Sequence, residues 1–389
     1  MVEIIGTGTY GCVAKPSLTC KNNTTKKLYK NKVSKLLNHI DAKKELNEME
    51  LISNVKNIKK YIVSVPHLCE PEQNSEFRRI LKQCTSSQVR KTKNPDDLRL
   101  LLLDDGGVNL HDIMSMIHKF SETEVNCFLT SILKLFQGIK FFYNHNIIHK
   151  DIKLANIVYN VSTGEIKFID FGLVEDYTTF VKNSMNSTND FAQSWEYYPK
   201  EFSCINQYVY NSIPKCHRYK KFPYKVFVKK AADTFDSYCL SYALKYFFEY
   251  FYNRHSATPH IQKTFWAECF ILMSKYCHVD VFKRASDLSK LYKEYKSILK
   301  SHNLVCAKKP KPSRATMKKA SQMSIHNYPT KSNSPSNEYS TPEFNSNNST
   351  EYVSLIDNKN SDCTSSACTG KKRTMKKKVS AENHTKKRK

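Results

Sequence analysis

Apolar positions change their period along this chain. In VEIIGTGTYGCVAK they alternate around a glycine-rich centre, the pattern of two strands joined by a turn. In DAKKELNEMELISNVKN, Leu46, Met49, Ile52 and Val55 recur at helical spacing, with Asp41 placed to cap the helix. LRLLLLDDGG reads as a buried strand stopped by Gly106-Gly107. Helical patterns dominate beyond it. SETEVNCFLTSILKLFQGIKFFYNHN opens on a Ser-x-x-Glu capping box and lines Val125, Phe128, Leu129, Ile132, Leu135, Phe136 and Ile139 along one face. Residues 237–252 and 265–277 read as further buried helices, and one around 287–299 closes the domain. The order predicts an α+β, bilobal fold, with a small β-rich N-lobe, a larger α-helical C-lobe and a cleft between them.

The periodicity stops near residue 303. Segments such as KKPKPSRATMKKASQ and STPEFNSNNST bury too little apolar surface to offset their ordering entropy. Residues 303–389 are therefore expected to be a disordered basic tail after a domain at 1–302, its N-lobe at about 1–104 and its C-lobe at about 108–302. Charge adds to that division. The formal net charge is +26, and from Ser301 onward about 18 Lys/Arg face about 6 Asp/Glu. Such an excess attracts nucleic acid or acidic protein segments, and KKRTMKKK and TKKRK have the composition of nuclear-import or phosphate-backbone contacts.

Thirteen cysteines without regular spacing or a CxxC pair are read as free thiols of a reducing compartment, and Cys277-His278 is a poor seed for zinc. The N-terminus lacks the basic-then-apolar order of a signal peptide, and no stretch reaches the roughly 18 apolar residues of a membrane span. The expectation is an intracellular, soluble protein of the cytoplasm or nucleus.

Candidate chemistry lies after the long helical pattern. His149-Lys150-Asp151-Ile152-Lys153-Leu154-Ala155-Asn156 is followed, fourteen residues past its Asn, by Asp170-Phe171-Gly172. Phosphoryl transfer needs a carboxylate to orient and accept the proton of the attacking hydroxyl, and oxygen ligands to hold magnesium against phosphates. An Asp with Lys two residues on and Asn five on supplies all of these from one loop, and a second Asp before Phe-Gly supplies another metal ligand.

With these motifs the chain resembles the protein kinase family over about residues 3–300, in the serine/threonine branch that carries D-x-K-x-x-N. The resemblance implies Asp151 as catalytic base, Lys153 beside the γ-phosphate of ATP, and Asn156 and Asp170 as Mg²⁺ ligands. Gly6-Thr7-Gly8-Thr9-Tyr10-Gly11-Cys12-Val13 matches the glycine-rich loop over the ATP phosphates, where absent Cβ atoms let backbone amides approach. Lys35 of Lys32-Val33-Ser34-Lys35 is the expected strand lysine, with Lys32 and Lys30 as lesser candidates. Glu48 is its expected carboxylate partner, with Glu45 as the alternative. Leu103, Asp104 and Asp105 resemble the hinge that hydrogen-bonds adenine. Tyr198-Pro199-Lys200-Glu201 resembles the A-P-E segment, pairing Glu201 with Arg284, and Asp236 resembles the residue that holds the catalytic loop's backbone.

The chain departs from the family in places. Lys150 stands where Arg is usual, so a bidentate grip on an activation-loop phosphate is weakened, whether at Thr178, Thr179, Ser184, Ser187 or Thr188. A basic, aromatic insert spans 204–230. With its Tyr197-Tyr198-Pro199-Lys200-Glu201 segment and Lys32-Val33-Ser34-Lys35 strand, the chain resembles the divergent kinases of large DNA viruses. The implied activity acts on protein substrates. Rival readings are a pseudokinase, a small-molecule phosphotransferase, and a basic nucleic-acid-binding or scaffold protein.

Overall fold

The computed structural model describes residues 1–21, 26–186 and 196–306. The tail from 307 on, with the disorder and basic contacts expected of it, lies outside the described residues, as do Ser187 and Thr188. The folded part runs on past the expected boundary at 302. Leu304 is buried, and the Cys306 amide donates to Thr130 Oγ1 at 2.9 Å.

Strands β1 (Glu3–Thr7), β2 (Gly11–Lys15), β3 (Lys32–Asn38), β4 (His67–Cys69) and β5 (Leu98–Asp104) form an antiparallel sheet in the order β1-β2-β3-β5-β4. Helix α1 (Lys26–Tyr29) precedes β3, and α2 (His39–Ser53) follows it. Asn38 caps α2, its Oδ1 accepting the Asp41 amide at 2.8 Å. Asp41 was the expected cap, but it lies in the first turn, where it accepts a 2.6 Å bond from Asn38 Nδ2. Helices α3 (Ser75–Gln83) and α4 (Ser87–Lys91) stand between β4 and β5.

Strand alternation divides the sheet into two faces. Leu36 shares one face with Cys12, Ala14, Leu98 and Leu100, which Phe77 and Ile80 of α3 and Val89 of α4 cover. Leu37 and Leu101 share the other face with Ala42 of α2, and by alternation Lys35 emerges there.

The large lobe begins with β6 (Val108–Asn109), α5 (Leu110–Met116), α6 (Glu122–Ser131) and α7 (Leu133–Asn144). The Ser121–Glu124 capping box forms as read. Residues Glu122–Asn144 have the length and composition of a membrane span, but 56% of the apolar window is buried inside the fold, as suits a core helix. Strands β7 (Ile147–Ile148), β8 (Ile157–Asn160), β9 (Glu165–Phe168) and β10 (Glu175–Asp176) carry the loops described below. Then come α8 (Tyr177–Asn186), α9 (Gln207–Ser212), α10 (Tyr224–Asn253), α11 (Lys263–Tyr276) and α12 (Leu288–Ser301). The core sits where α10 meets α11, with Phe251 stacked on Trp266 at 5.1 Å, and Tyr295 of α12 donates to the Leu129 carbonyl at 3.0 Å.

The cysteine reading is corrected. Disulfides join Cys12 to Cys84, Cys20 to Cys69, Cys127 to Cys306 and Cys204 to Cys216, while Cys239, Cys269 and Cys277 are buried free thiols. The partners lie 72, 49, 179 and 12 residues apart. No local spacing encodes such pairs, because only folding brings their Cβ atoms within bonding reach.

Candidate active site

Asp151 sits in the loop between β7 and β8, held by its own neighbours. Lys153 Nζ donates to both its carboxylate oxygens, at 3.1 and 2.9 Å, and Asn156 Nδ2 donates to Oδ2 at 2.7 Å and to the Asp151 carbonyl at 2.8 Å. With its amide nitrogen so engaged, Asn156 presents its carbonyl oxygen elsewhere. Burial raises the Asp151 pKa, against the pull of Lys153.

A carboxylate distant in sequence fixes the loop's backbone. Asp236 Oδ2 accepts the His149 amide at 2.7 Å, and Oδ1 accepts the Lys150 amide at 3.1 Å. Asp236 lies in the middle of α10 rather than at a helix start, since α10 runs unbroken for 30 residues. Its carboxylate is thus free for the loop. Lys150 takes a left-handed backbone (φ 65°), which two accepted amide bonds help to hold.

His149 is fully buried and its imidazole pKa is lowered, chiefly by that burial. As a neutral ring it packs on Phe171 at 4.3 Å and beside Phe168 at 6.0 Å. The Asp151 loop and Asp170-Phe171-Gly172 are thereby one packed unit. Asp170 also has a positive φ (62°).

Across the cleft, Lys35 Nζ lies 2.7 Å from Glu45 Oε2 and 3.4 Å from Asp170 Oδ1. Burial opposes the Lys35 ammonium, but the Asp170 and Glu45 carboxylates outweigh it and carry its pKa above the ordinary lysine value. Asp170 is held below the usual carboxylate range, burial being outweighed by Lys35 and Lys153.

The expected partner Glu48 is thereby replaced by Glu45. Ala42, Met49 and Ile52 are the buried residues of α2, and Glu45 continues their 3-4-3 stripe towards the sheet. Glu48 lies off that stripe. Its Oε1 is 3.8 Å from Lys44, its Oε2 is buried without a hydrogen bond, and burial pushes its pKa up to about 7.

The other candidate lysine of β3, Lys32, pairs with Asp104 at 2.6 Å, and Asp105 pairs with Lys15 at 2.6 Å. Both carboxylates lie in the expected hinge. The Asp104 amide donates to Ser64 Oγ at 2.9 Å and the Asp105 amide to the Asn31 carbonyl at 2.9 Å, so both amides are engaged within the fold. Leu103 pairs with Val33, and alternation puts it on the Lys35 face.

Gly6, Thr7, Gly8, Thr9, Tyr10, Gly11 and Val13 form the β1–β2 hairpin, closed by a 2.9 Å bond from the Gly8 amide to the Gly11 carbonyl. A Cβ on Gly11 would meet the Leu36 carbonyl at 2.5 Å, whereas one on Gly8 would meet nothing within 4 Å. Gly11 is therefore required by the sheet, and Gly8 borders open space. Val13 pairs with Lys35 and shares its face.

Below the cleft, Arg284 donates to both oxygens of Glu201, at 2.6 and 2.9 Å, with both side chains fully buried. Thr234 Oγ1 and the His278 carbonyl accept two more of its protons. Lys150 Nζ lies 2.7 Å from Glu175 Oε2, while Asn183 donates to Glu175 Oε1 at 2.7 Å. Sequence reasoning missed Glu175 and the helix α8 that follows it. Phe180 of α8 is buried against Phe235, and Ser184 donates its hydroxyl to the Phe180 carbonyl.

Residues 1–212 match the protein kinase domain family, and the chain belongs to it. Among curated relatives, mitogen-activated protein kinase 14 of Arabidopsis thaliana is 24% identical over 208 residues, covering 53% of this chain and 48% of that protein. Mitogen-activated protein kinase 1 of Oryza sativa subsp. japonica is 28% identical over 171 residues, covering 43% and 36%. The chain thus spans about half the length of such relatives, or less.

Proposed function

We propose that this protein is an active serine/threonine kinase that moves the γ-phosphate of ATP onto protein hydroxyls. The observation that carries the reading is the seating of Asp151. Its carboxylate is gripped by Lys153 and Asn156, with the Lys35–Glu45–Asp170 cluster placed across the cleft.

The residues fit a nucleotide with magnesium. Asp170 and the Asn156 amide oxygen are hard donors, and among the described residues no cluster of three His, Cys, Asp or Glu forms an all-protein metal cage. Two protein ligands, with phosphates and water completing the shell, is the usual way to bind Mg²⁺. When bound, the ion supplies charge neutralisation at the phosphates. Lys35, held as an ammonium, would contact the α- and β-phosphates, and Lys153 the γ-phosphate. Asp151 would orient the substrate hydroxyl and accept its proton as the new O–P bond forms and the bond to the β-phosphate oxygen breaks, leaving ADP. Binding without turnover is the weaker reading, since base, lysine and both metal ligands are all present.

The test compares wild type with Asp151→Asn on peptides offering Ser, Thr or Tyr, using labelled ATP. Label should enter Ser and Thr, and the variant should lose about 10²- to 10⁴-fold in turnover. A folded variant retaining more than about a tenth of wild-type turnover would remove Asp151 from the base role.

A further inference from the structure

The α3–α4 hairpin does more than cover the outer face of the small lobe. It reaches the glycine-rich turn itself. The Thr9 carbonyl, at the tip, accepts from Ser86 Oγ at 2.8 Å and from the Gln88 amide at 3.3 Å. Three residues after Thr9, Cys12 is bonded to Cys84, the residue that caps the C-terminal end of α3. Both cysteines and Ser86 are buried. The hairpin is itself anchored. Phe77, Ile80 and Val89 lie in the core with Cys12 and Leu36, the Val2 amide donates to Glu76, and Arg79 donates to the Val2 carbonyl. A turn whose tip borders open space at Gly8 is therefore fastened at two points from outside.

The fastening has a direction. In a planar trans peptide the carbonyl of Thr9 and the amide of Tyr10 point opposite ways. The carbonyl faces α4, which packs on the Leu36 face of the sheet, so the Tyr10 N–H is turned to the face from which Lys35 emerges. We propose that Ser86 and the Cys12–Cys84 bridge are positioning residues that pre-set the glycine-rich turn for nucleotide phosphates. They hold an amide towards the Lys35 side before nucleotide arrives. The nucleotide part rests on the kinase reading above; the fastening does not. Ordering a glycine-rich turn costs conformational entropy that is otherwise charged against binding. A clamp that orders it in advance tightens nucleotide affinity and leaves the chemical step, carried by Asp151, nearly untouched.

The experiment uses the full chain carrying Ser86→Ala or Cys84→Ser, with Cys20→Ser as a control that opens the other small-lobe bridge. Hydrogen exchange of the amides between Gly6 and Cys12 is followed without nucleotide. The dissociation constant for magnesium-ATP is measured by calorimetry, and kcat and KM on a peptide. Both clamp variants should speed exchange in the turn and weaken ATP binding about 3- to 10-fold, the worth of one net hydrogen bond, with kcat within about twofold. Cys20→Ser should leave exchange in the turn unchanged. Unchanged exchange in folded Ser86→Ala and Cys84→Ser would overturn the clamp. So would faster exchange with ATP affinity intact, or a loss confined to kcat. If wild type binds no ATP, the kinase reading fails while exchange still decides the fastening.

Discussion

The Asp151 loop and the small-lobe ion cluster solve similar problems in different ways. Asp151 is held by Lys153 and Asn156, two and five residues away, so most of its environment is local. Lys35 instead meets Glu45 from α2 and Asp170 from beyond β9, and its neighbouring turn is tied down by a disulfide spanning 72 residues. The first site is written in one short stretch of chain. The second exists only when three elements are docked. The difference suggests that substitutions near Asp151 act on rate, whereas those around Lys35 act on both assembly and rate.

The buried pair below the cleft gives the largest expected change in stability. Glu201→Ala strands a guanidinium with no exposed surface, and should destabilise the large lobe by about 3–5 kcal/mol, read from denaturant unfolding. Activity per folded molecule should fall less than in Asp151→Asn. An unfolding midpoint close to wild type would mean the pair is not formed.

The small lobe can be tested with two neighbouring carboxylates. Glu45→Gln removes a charged partner of Lys35 and should lower kcat/KM by about 10- to 100-fold, in line with the worth of a hydrogen bond to a charged group. Glu48→Gln should leave kcat/KM within about threefold. The reverse ranking would return the Lys35 partnership to Glu48.

A smaller effect is expected at Lys150. Its ammonium already has a carboxylate in Glu175, and α8 already packs on α10 through Phe180 and a bond from Tyr177 to Asp233 at 2.8 Å. Phosphatase treatment should therefore leave activity unchanged, while Glu175→Ala lowers it about 3- to 10-fold by freeing the lysine. Activity that vanishes with phosphatase and returns with phosphate at Thr178 or Thr179 would reverse this.

The smallest effect is a pH dependence at Glu48. Burial raises its pKa from 4.5 to about 7 in the fold. A carboxyl so raised contributes stability that is complete below about pH 4.5 and lost as pH rises through about 7. Glu48→Gln should therefore be neutral at pH 4.5 and more stable than wild type by about 1 kcal/mol at pH 8, a figure set below the full shift because the side chain is partly solvated. Equal gains at both values would point to packing rather than charge.

Some of this protein is determined by sequence alone. The period change from strand to helix, the Ser121–Glu124 cap and the order Asp151, Lys153, Asn156, Asp170 are local patterns, and local patterns survive without knowledge of distant contacts. The pairing of Glu201 with Arg284 and the reach of Asp236 to the catalytic loop were legible through family resemblance. Tertiary structure alone decided the rest. Glu45 rather than Glu48 meets Lys35 because helix phase relative to the sheet selects between residues three apart. The amides of Asp104 and Asp105 are taken by Ser64 and Asn31, whose approach no spacing reveals. Three of the four bridges and the hairpin fastened to Thr9 are contacts across tens of residues, set by where the folded chain brings groups together rather than by which residues lie side by side.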